Sequence, residues 1–287
     1  MYNRMFLEGD VKTWIAVCAL CVFSGLAVAD ELEDAYNNLK AAEGKKDAEG
    51  VRKWASTTSK LARAAASSAQ PAGTDADAWK AHLDYAKQVD TYSEYALATT
   101  ASAPGMEASK VVELVDELNA INPKSKYFGT VATPYIGALA TQAQAAAAKS
   151  PDRTLALANK LIAFKSKSTP EGVPEPEWEK AKSAALGRGY YFAGVANGIK
   201  QAWNDCNNEM KEALPYINKD QSMLGVAYFY LGLCNYQFGR LTADRASIMQ
   251  GQKYSEQSAA IPGPMQAQAR QNAYAIRTEL AGGASKR

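Results

Sequence analysis

Apolar positions recur along this chain at three- and four-residue spacing, while the period-two alternation of a half-buried strand is absent. Residues 31–43 and 47–69 read as a helical pair broken at Gly44-Lys45-Lys46. Thr74 and Asp77 form a variant capping box ahead of a long helix. The apolar stripe of that helix is Trp79, Leu83, Ala86, Val89, Tyr92 and Ala96, and Pro104-Gly105 ends it. Val111, Leu114, Val115, Leu118 and Ile121 make one face of the next helix, which stops at Asn122-Pro123. Tyr127 to Lys149 predicts another long helix, bent at Pro134. Ser150-Pro151-Asp152 then supplies a cap residue, a first-turn proline and an acid at the positive end of a helix running to about Phe164.

Pro170, Gly172, Pro174 and Pro176 mark residues 166–176 as a loop or hinge. Beyond it, helices are expected over 177–196, 199–217, 221–239, 243–260 and 264–280, followed by a polar, disordered tail at 281–287. The fold class is therefore all-α, built of antiparallel helix hairpins that either stack as an array or close into a compact bundle. Repeated small residues favour close helix packing in both cases. The organisation reads as N-terminal hairpins over 30–165, the proline-rich loop, and C-terminal helices over 177–280. Whether 30–165 is a domain of its own is left open.

The first 29 residues have a different character. Arg4 and Lys12 precede an apolar run from Trp14 to Ala29 that ends in Ala27-Val28-Ala29, a small-x-small cleavage site followed by Asp30. This is a secretory signal in form, although Glu8 and Asp10 offset its basic end. An uncleaved N-terminal anchor is the alternative. Lipid attachment does not fit, because Cys18 follows Val17 and Cys21 follows Leu20. The mature chain is expected to be exported, periplasmic or extracellular, with no membrane span of its own once the signal is removed.

Composition narrows the function classes. The net charge is +2, which argues against a nucleic-acid partner. The sole histidine is His82, so a His₂ or His₃ metal site cannot be built, and a histidine-based triad would have to use it. His82 itself reads as a surface or boundary residue. The chain has no Gly-rich phosphate loop and no His-Glu-x-x-His element, and its mature part has no Cys-x-x-Cys pair. Glu171, Glu175, Glu177 and Glu179 cluster without the alternating oxygen ligands of a calcium loop, and read as a solvated helix start. No cofactor is expected.

Cys206 and Cys234 lie on consecutive helices at similar distances from the turn near Asn218-Lys219-Asp220. An antiparallel pair would bring them level, so a disulfide is expected in an oxidising compartment, with two buried thiols as the alternative. The aromatic triplets Tyr190-Tyr191-Phe192 and Tyr228-Phe229-Tyr230 cannot all face one core.

One segment resembles a known family. Tyr228, Leu231, Gly232, Tyr236 and Gly239 have the spacing of the first helix of a tetratricopeptide repeat, although Asn235 fills the usual second aromatic position and Tyr236 follows it. Tyr254, Ala259 and Pro262 resemble the second helix, and the intervening Thr242–Met249 makes the repeat long. A weaker echo begins at Leu186-Gly187 with Tyr190 and Gly194, its second helix ending near Pro215; another is the ending Leu118–Pro123. The resemblance implies a right-handed stack of hairpins. Gly232 would admit the facing helix, Tyr228 and Leu231 would fill the inter-helix gap, and Gly239 would supply the positive φ that ends the helix. It places Val226, Phe229, Leu233, Tyr236 and Gln237 on a groove suited to a helix or extended peptide. The expected role is non-catalytic: holding a protein or peptide partner, or scaffolding an assembly, in a bacterial cell envelope. A helical small-ligand binder with a cavity around Tyr190 and Tyr228 is the alternative.

Overall fold

The computed structural model describes residues 26–282. The expected signal (1–29) and tail (281–287) lie largely outside that range. The described residues form eleven α-helices and no strand, so the all-α expectation holds. No helix among them is long and apolar enough to cross a membrane. The chain divides into two compact units between Ala96 and Leu97, inside the third helix.

The first unit contains α1 (Leu26–Gly44), α2 (Ala48–Ser67) and most of α3 (Ala76–Ala101). The Gly44-Lys45-Lys46 break is real, and Lys46 takes a left-handed φ of 57° there. Asp47 then caps α2 by accepting from Gly50 N–H at 3.0 Å. The cap of α3 is Asp75 rather than Thr74. Its Oδ1 accepts from Asp77 N–H and Ala78 N–H, both at 3.0 Å, which satisfies two otherwise orphaned donors. Leu32, Ala62, Ala65, Ala86 and Val89 form a buried core of mostly small side chains. Beside it, Tyr36 meets Tyr85 and Tyr92 edge-on, and the Tyr92 hydroxyl donates to Glu43. Burial, then that carboxylate, push the Tyr92 phenol above its ordinary range. Asp90 ties α3 to α2 through Ser59 (2.5 Å) and Arg63 (3.0 Å).

The second unit contains the end of α3, α4 (Ala108–Ile121), α5 (Phe128–Ala146), α6 (Pro151–Ile162) with a 3-10 turn at Ala163–Ser166, α7 (Glu175–Ile199), α8 (Trp203–Ile217), α9 (Gln221–Thr242), α10 (Arg245–Ala260) and α11 (Gln266–Gly282). The proline-rich loop falls inside this unit. Pro134 sits within α5, which runs through it. Proline has no N–H to bond the Thr130 carbonyl four residues back, and the Ser102 hydroxyl lies 3.5 Å from that oxygen. Asp116 on α4 joins three helices: the Tyr135 hydroxyl donates to it at 2.6 Å, and Lys160 of α6 pairs with its other oxygen. Sequential helices pack as neighbours from α4 to α11. In addition α5 touches α7, α7 touches α9 and α9 touches α11, whereas α6, α8 and α10 make no such contacts with one another. Helices α5, α7, α9 and α11 of this unit thus touch in one continuous row, while α6, α8 and α10 each pack only against their neighbours in sequence.

Candidate functional site

Helix α7 is the centre of this row, bordered by α5, α6, α8 and α9. Between Ala185 and Gly198 its one exposed residue is Arg188, and Tyr191 is half-buried; every other residue is buried. The expected end at Ala196 is wrong. The helix continues through Asn197-Gly198 to Ile199, and the turn comes at Gln201, with φ 61°. Gly198 serves packing rather than a turn, because a Cβ there would lie 2.4 Å from the Tyr230 ring. At 100° per residue, Arg188, Tyr191, Val195 and Ile199 share one narrow strip. Of these, Arg188 and Ile199 are exposed, Tyr191 is half-buried, and Val195 is buried in the core with Cys206 and Met210.

Helix α9 presents the matching strip. Val226, Leu233, Tyr236 and Gln237 are half-buried, and Phe229 is buried against Tyr230. The five groove positions therefore lie along one side of α9, with Phe229 the least accessible. The two strips are equivalent in sequence. Leu186-Gly187, Tyr190, Gly194 and Asn197 recur 38 residues later as Leu224-Gly225, Tyr228, Gly232 and Asn235. In that register Arg188, Tyr191, Val195 and Ile199 correspond to Val226, Phe229, Leu233 and Gln237. Sequence reading missed the α7 strip because it aligned Leu186-Gly187 with Leu231-Gly232. Identity at a fixed offset was the signal that would have found it.

The motif residues occupy definite places. Leu231 is fully buried. Tyr228 stacks on Tyr254 of α10, with centroids 5.9 Å apart. Gly232 faces α10, where a Cβ would lie 2.5 Å from Ser255 Oγ and 3.0 Å from Ser255 N. Gly239 does not end α9. The helix runs on to Thr242, and Ala243 takes the left-handed φ of 54°. Gly239 lacks a side chain for another reason: a Cβ would lie 2.8 Å from Asp244 O and from Ile248. Pro262 lies beyond the end of α10, exposed. Helix α8 ends at Ile217, as its expected span of 199–217 has it, and runs through Pro215, where the weaker echo placed the end.

Cys206 of α8 and Cys234 of α9 form a disulfide, with Cα atoms 6.4 Å apart. Both cysteines are fully buried. One residue on, Asn235 Nδ2 donates to Asn207 Oδ1 at 2.7 Å and to Leu231 O at 2.8 Å. These two links join the α7/α8 hairpin to the α9/α10 hairpin. In the chain-entropy model a loop of this length contributes about 3–4 kcal/mol.

Apart from Arg188, the charges lie around the strips rather than on them. Burial pushes the Tyr191 phenol up to about 12, with smaller contributions from Tyr230 and Asp220. Asp220 caps α9, and its hydrogen bonds with Ser222 and Met223 hold its carboxyl below the usual range. On the α8 side, burial raises Glu209, helped by Asp205 and Glu212. Nearby, Lys165 Nζ donates to the Tyr190 hydroxyl at 3.2 Å. The Glu175 and Glu177 carboxylates sit in the first turn of α7, and Glu179 pairs with Lys182 at 3.3 Å. Among the described residues, no group of three or more His, Cys, Asp or Glu side chains is placed to hold a metal ion. A shallow depression of about 210 Å³ lies between the end of α3, α4 and α5, lined by Met106, Pro134, Thr141 and small residues. Neither Tyr190 nor Tyr228 borders it; Tyr190 is stacked against Tyr216.

No family model matches this chain, and no curated protein or solved structure matches it.

Proposed function

We propose that this chain is an exported, non-catalytic, tetratricopeptide-like protein that holds a protein or peptide partner on the adjoining strips of α7 and α9. The observation that carries this reading is the row of α5, α7, α9 and α11, along which Arg188 and Ile199 of α7 are exposed and Val226, Leu233, Tyr236 and Gln237 of α9 are half-buried. Two adjacent apolar-aromatic strips of about three turns each are the right size for a partner helix or an extended segment. The 38-residue recurrence supports a repeat origin, and the buried disulfide fits an oxidising compartment such as the bacterial envelope. The small-ligand alternative loses its expected cavity lining, because the Tyr190 and Tyr228 rings are taken up in packing.

The test uses Arg188→Glu, Ile199→Asp and Gln237→Lys in protein from the native envelope. Each should abolish co-purification of the specific partner while the melting temperature stays within about 4 °C of wild type. Partner retention by all three would overturn the proposed face. Intact-mass measurement on the same material checks cleavage after Ala29, and a mass that retained residues 1–29 would overturn that part of the reading.

A further inference from the structure

We propose that α11 is a displaceable clasp closing the α9 end of the candidate face, latched by Tyr236 and Glu279. This rests on the reading of Tyr236 as part of that face. The Tyr236 hydroxyl donates to Glu279 Oε2 at 2.5 Å. The other oxygen of Glu279 lies 3.8 Å from Arg240 Nε, and the Arg240 guanidinium sits over the Tyr236 ring at 5.7 Å. A residue assigned to partner binding is thus already engaged by the last helix of the same chain.

The rest of the seat is shallow. Of the 17 residues of α11, only Ala269, Ala273 and Ile276 are buried, whereas 13 of the 25 residues of α7 are. Two of those three anchors are alanines, which carry little apolar area. The other ties are polar: Arg277 with Glu256 at 2.6 Å and Arg245 with the Leu280 carbonyl at 3.3 Å, both exposed, and Gln266 with the Ala259 carbonyl at 3.2 Å, part-buried. An exposed Pro262-Gly263-Pro264 segment leads into the helix. Elements with few buried apolar contacts and exposed polar links open locally, well below the free energy of global unfolding. Release of α11 would free the Tyr236 hydroxyl and the Arg240 guanidinium together. That pair takes a carboxylate. The seat itself specifies the occupant that would replace α11: a helix with small or aliphatic residues at the spacing of Ala269, Ala273 and Ile276, and an acid at the position of Glu279.

The test is amide hydrogen exchange on the full, disulfide-intact chain, with no partner present, so its outcome is independent of the partner-binding experiment. In wild type, peptides spanning all of α11 should exchange at least tenfold faster than those of α7 and α9. Tyr236→Phe and Glu279→Ala should each speed α11 a further three- to tenfold, and leave α7 unchanged. Simple end-fraying would speed only the last turn, so the N-terminal half of α11 decides between the two. Exchange of that half in step with α9, or no response to either substitution, would overturn the clasp and leave the proposed face standing. Loss of the face by partner binding, with selective α11 opening intact, would show the reverse.

Discussion

The α7/α8 and α9/α10 hairpins carry the same motif 38 residues apart, yet they close in different ways. In the first, Gly194 faces Met210, and the three atoms nearest a Cβ there all belong to the methionine side chain, at 2.7–2.9 Å. In the second, glycine faces glycine. A Cβ at Gly251 would lie 2.8 Å from Tyr236 N and 2.9 Å from Gly232 O, both backbone atoms. Ser255 completes this contact, buried, with its hydroxyl donating to Gly251 O at 2.9 Å. The same helical spacing therefore supports a side-chain contact in one hairpin and a backbone contact in the next. The second hairpin gains close approach and loses tolerance: side chains adjust to crowding by rotamer changes, and backbones do not.

The strongest way to break the comparison is to separate the hairpins. Cys206→Ala with Cys234→Ala should lower stability by about 3–4 kcal/mol, read as a shift in urea midpoint, because it removes the disulfide between the two hairpins. A change below about 1 kcal/mol would mean that the Asn207–Asn235 pair and the α8–α9 core hold the register alone. The next largest effect falls inside the second hairpin. Gly251→Ala should cost about 1–3 kcal/mol, because α9 and α10 must move apart to admit the methyl, and that outweighs the gain of about 1 kcal/mol in helix propensity. Net stabilisation by this substitution would show that the helices slide freely and that the backbone contact does not limit them.

Much of this was legible in the sequence, for reasons visible in single residues. Helical periodicity gave the helices, and Gly44-Lys45-Lys46, Pro104-Gly105 and Asn122-Pro123 marked real ends because each combines a poor helix former with a required change of φ or a missing N–H. The disulfide was legible because antiparallel helices turn equal distances from a turn into equal heights. The errors share one cause. Gly239 is expected to supply a positive φ, and the helix over 177–196 to stop short of Gly198, but both are packing glycines inside continuous helices. A glycine that ends a helix and one that admits a neighbour look alike in sequence, and only the neighbour distinguishes them. Ala243, an unremarkable residue for a left-handed φ, gave no signal at all. The candidate strip on α9 was reached through the resemblance. Its partner on α7 was missed because Ala193 stands where the motif has leucine.

A smaller effect separates the two hairpins by pH. Helices α9 and α10 begin with Asp220 and Asp244, whose carboxylates accept from backbone N–H groups, whereas α7 and α8 begin without a side-chain cap. Hydrogen bonds hold both carboxyls below their ordinary range. A depressed folded-state value means that their stabilisation is present above the unfolded value, near pH 4, and is lost as the pH falls through the folded one. Amide exchange in the first turns of α9 and α10, corrected for the intrinsic pH dependence, should therefore rise below about pH 4 relative to α7 and α8. Equal acid sensitivity in all four helices would remove the caps as a point of difference.

The sharpest test of the comparison is the substitution expected to do least. Gly194→Ala places a methyl where three atoms of Met210 now lie. Methionine is unbranched and polarizable, and moves its chain end by a few tenths of an ångström at little cost. Against that cost stands a gain of about 1 kcal/mol from replacing glycine with alanine inside a helix. The two nearly cancel, so the urea midpoint of Gly194→Ala should match wild type within about 0.5 kcal/mol, although Gly194 and Gly232 occupy the same place in the motif. If Gly194→Ala costs as much as Gly251→Ala, the difference between a side-chain contact and a backbone contact does not govern these hairpins.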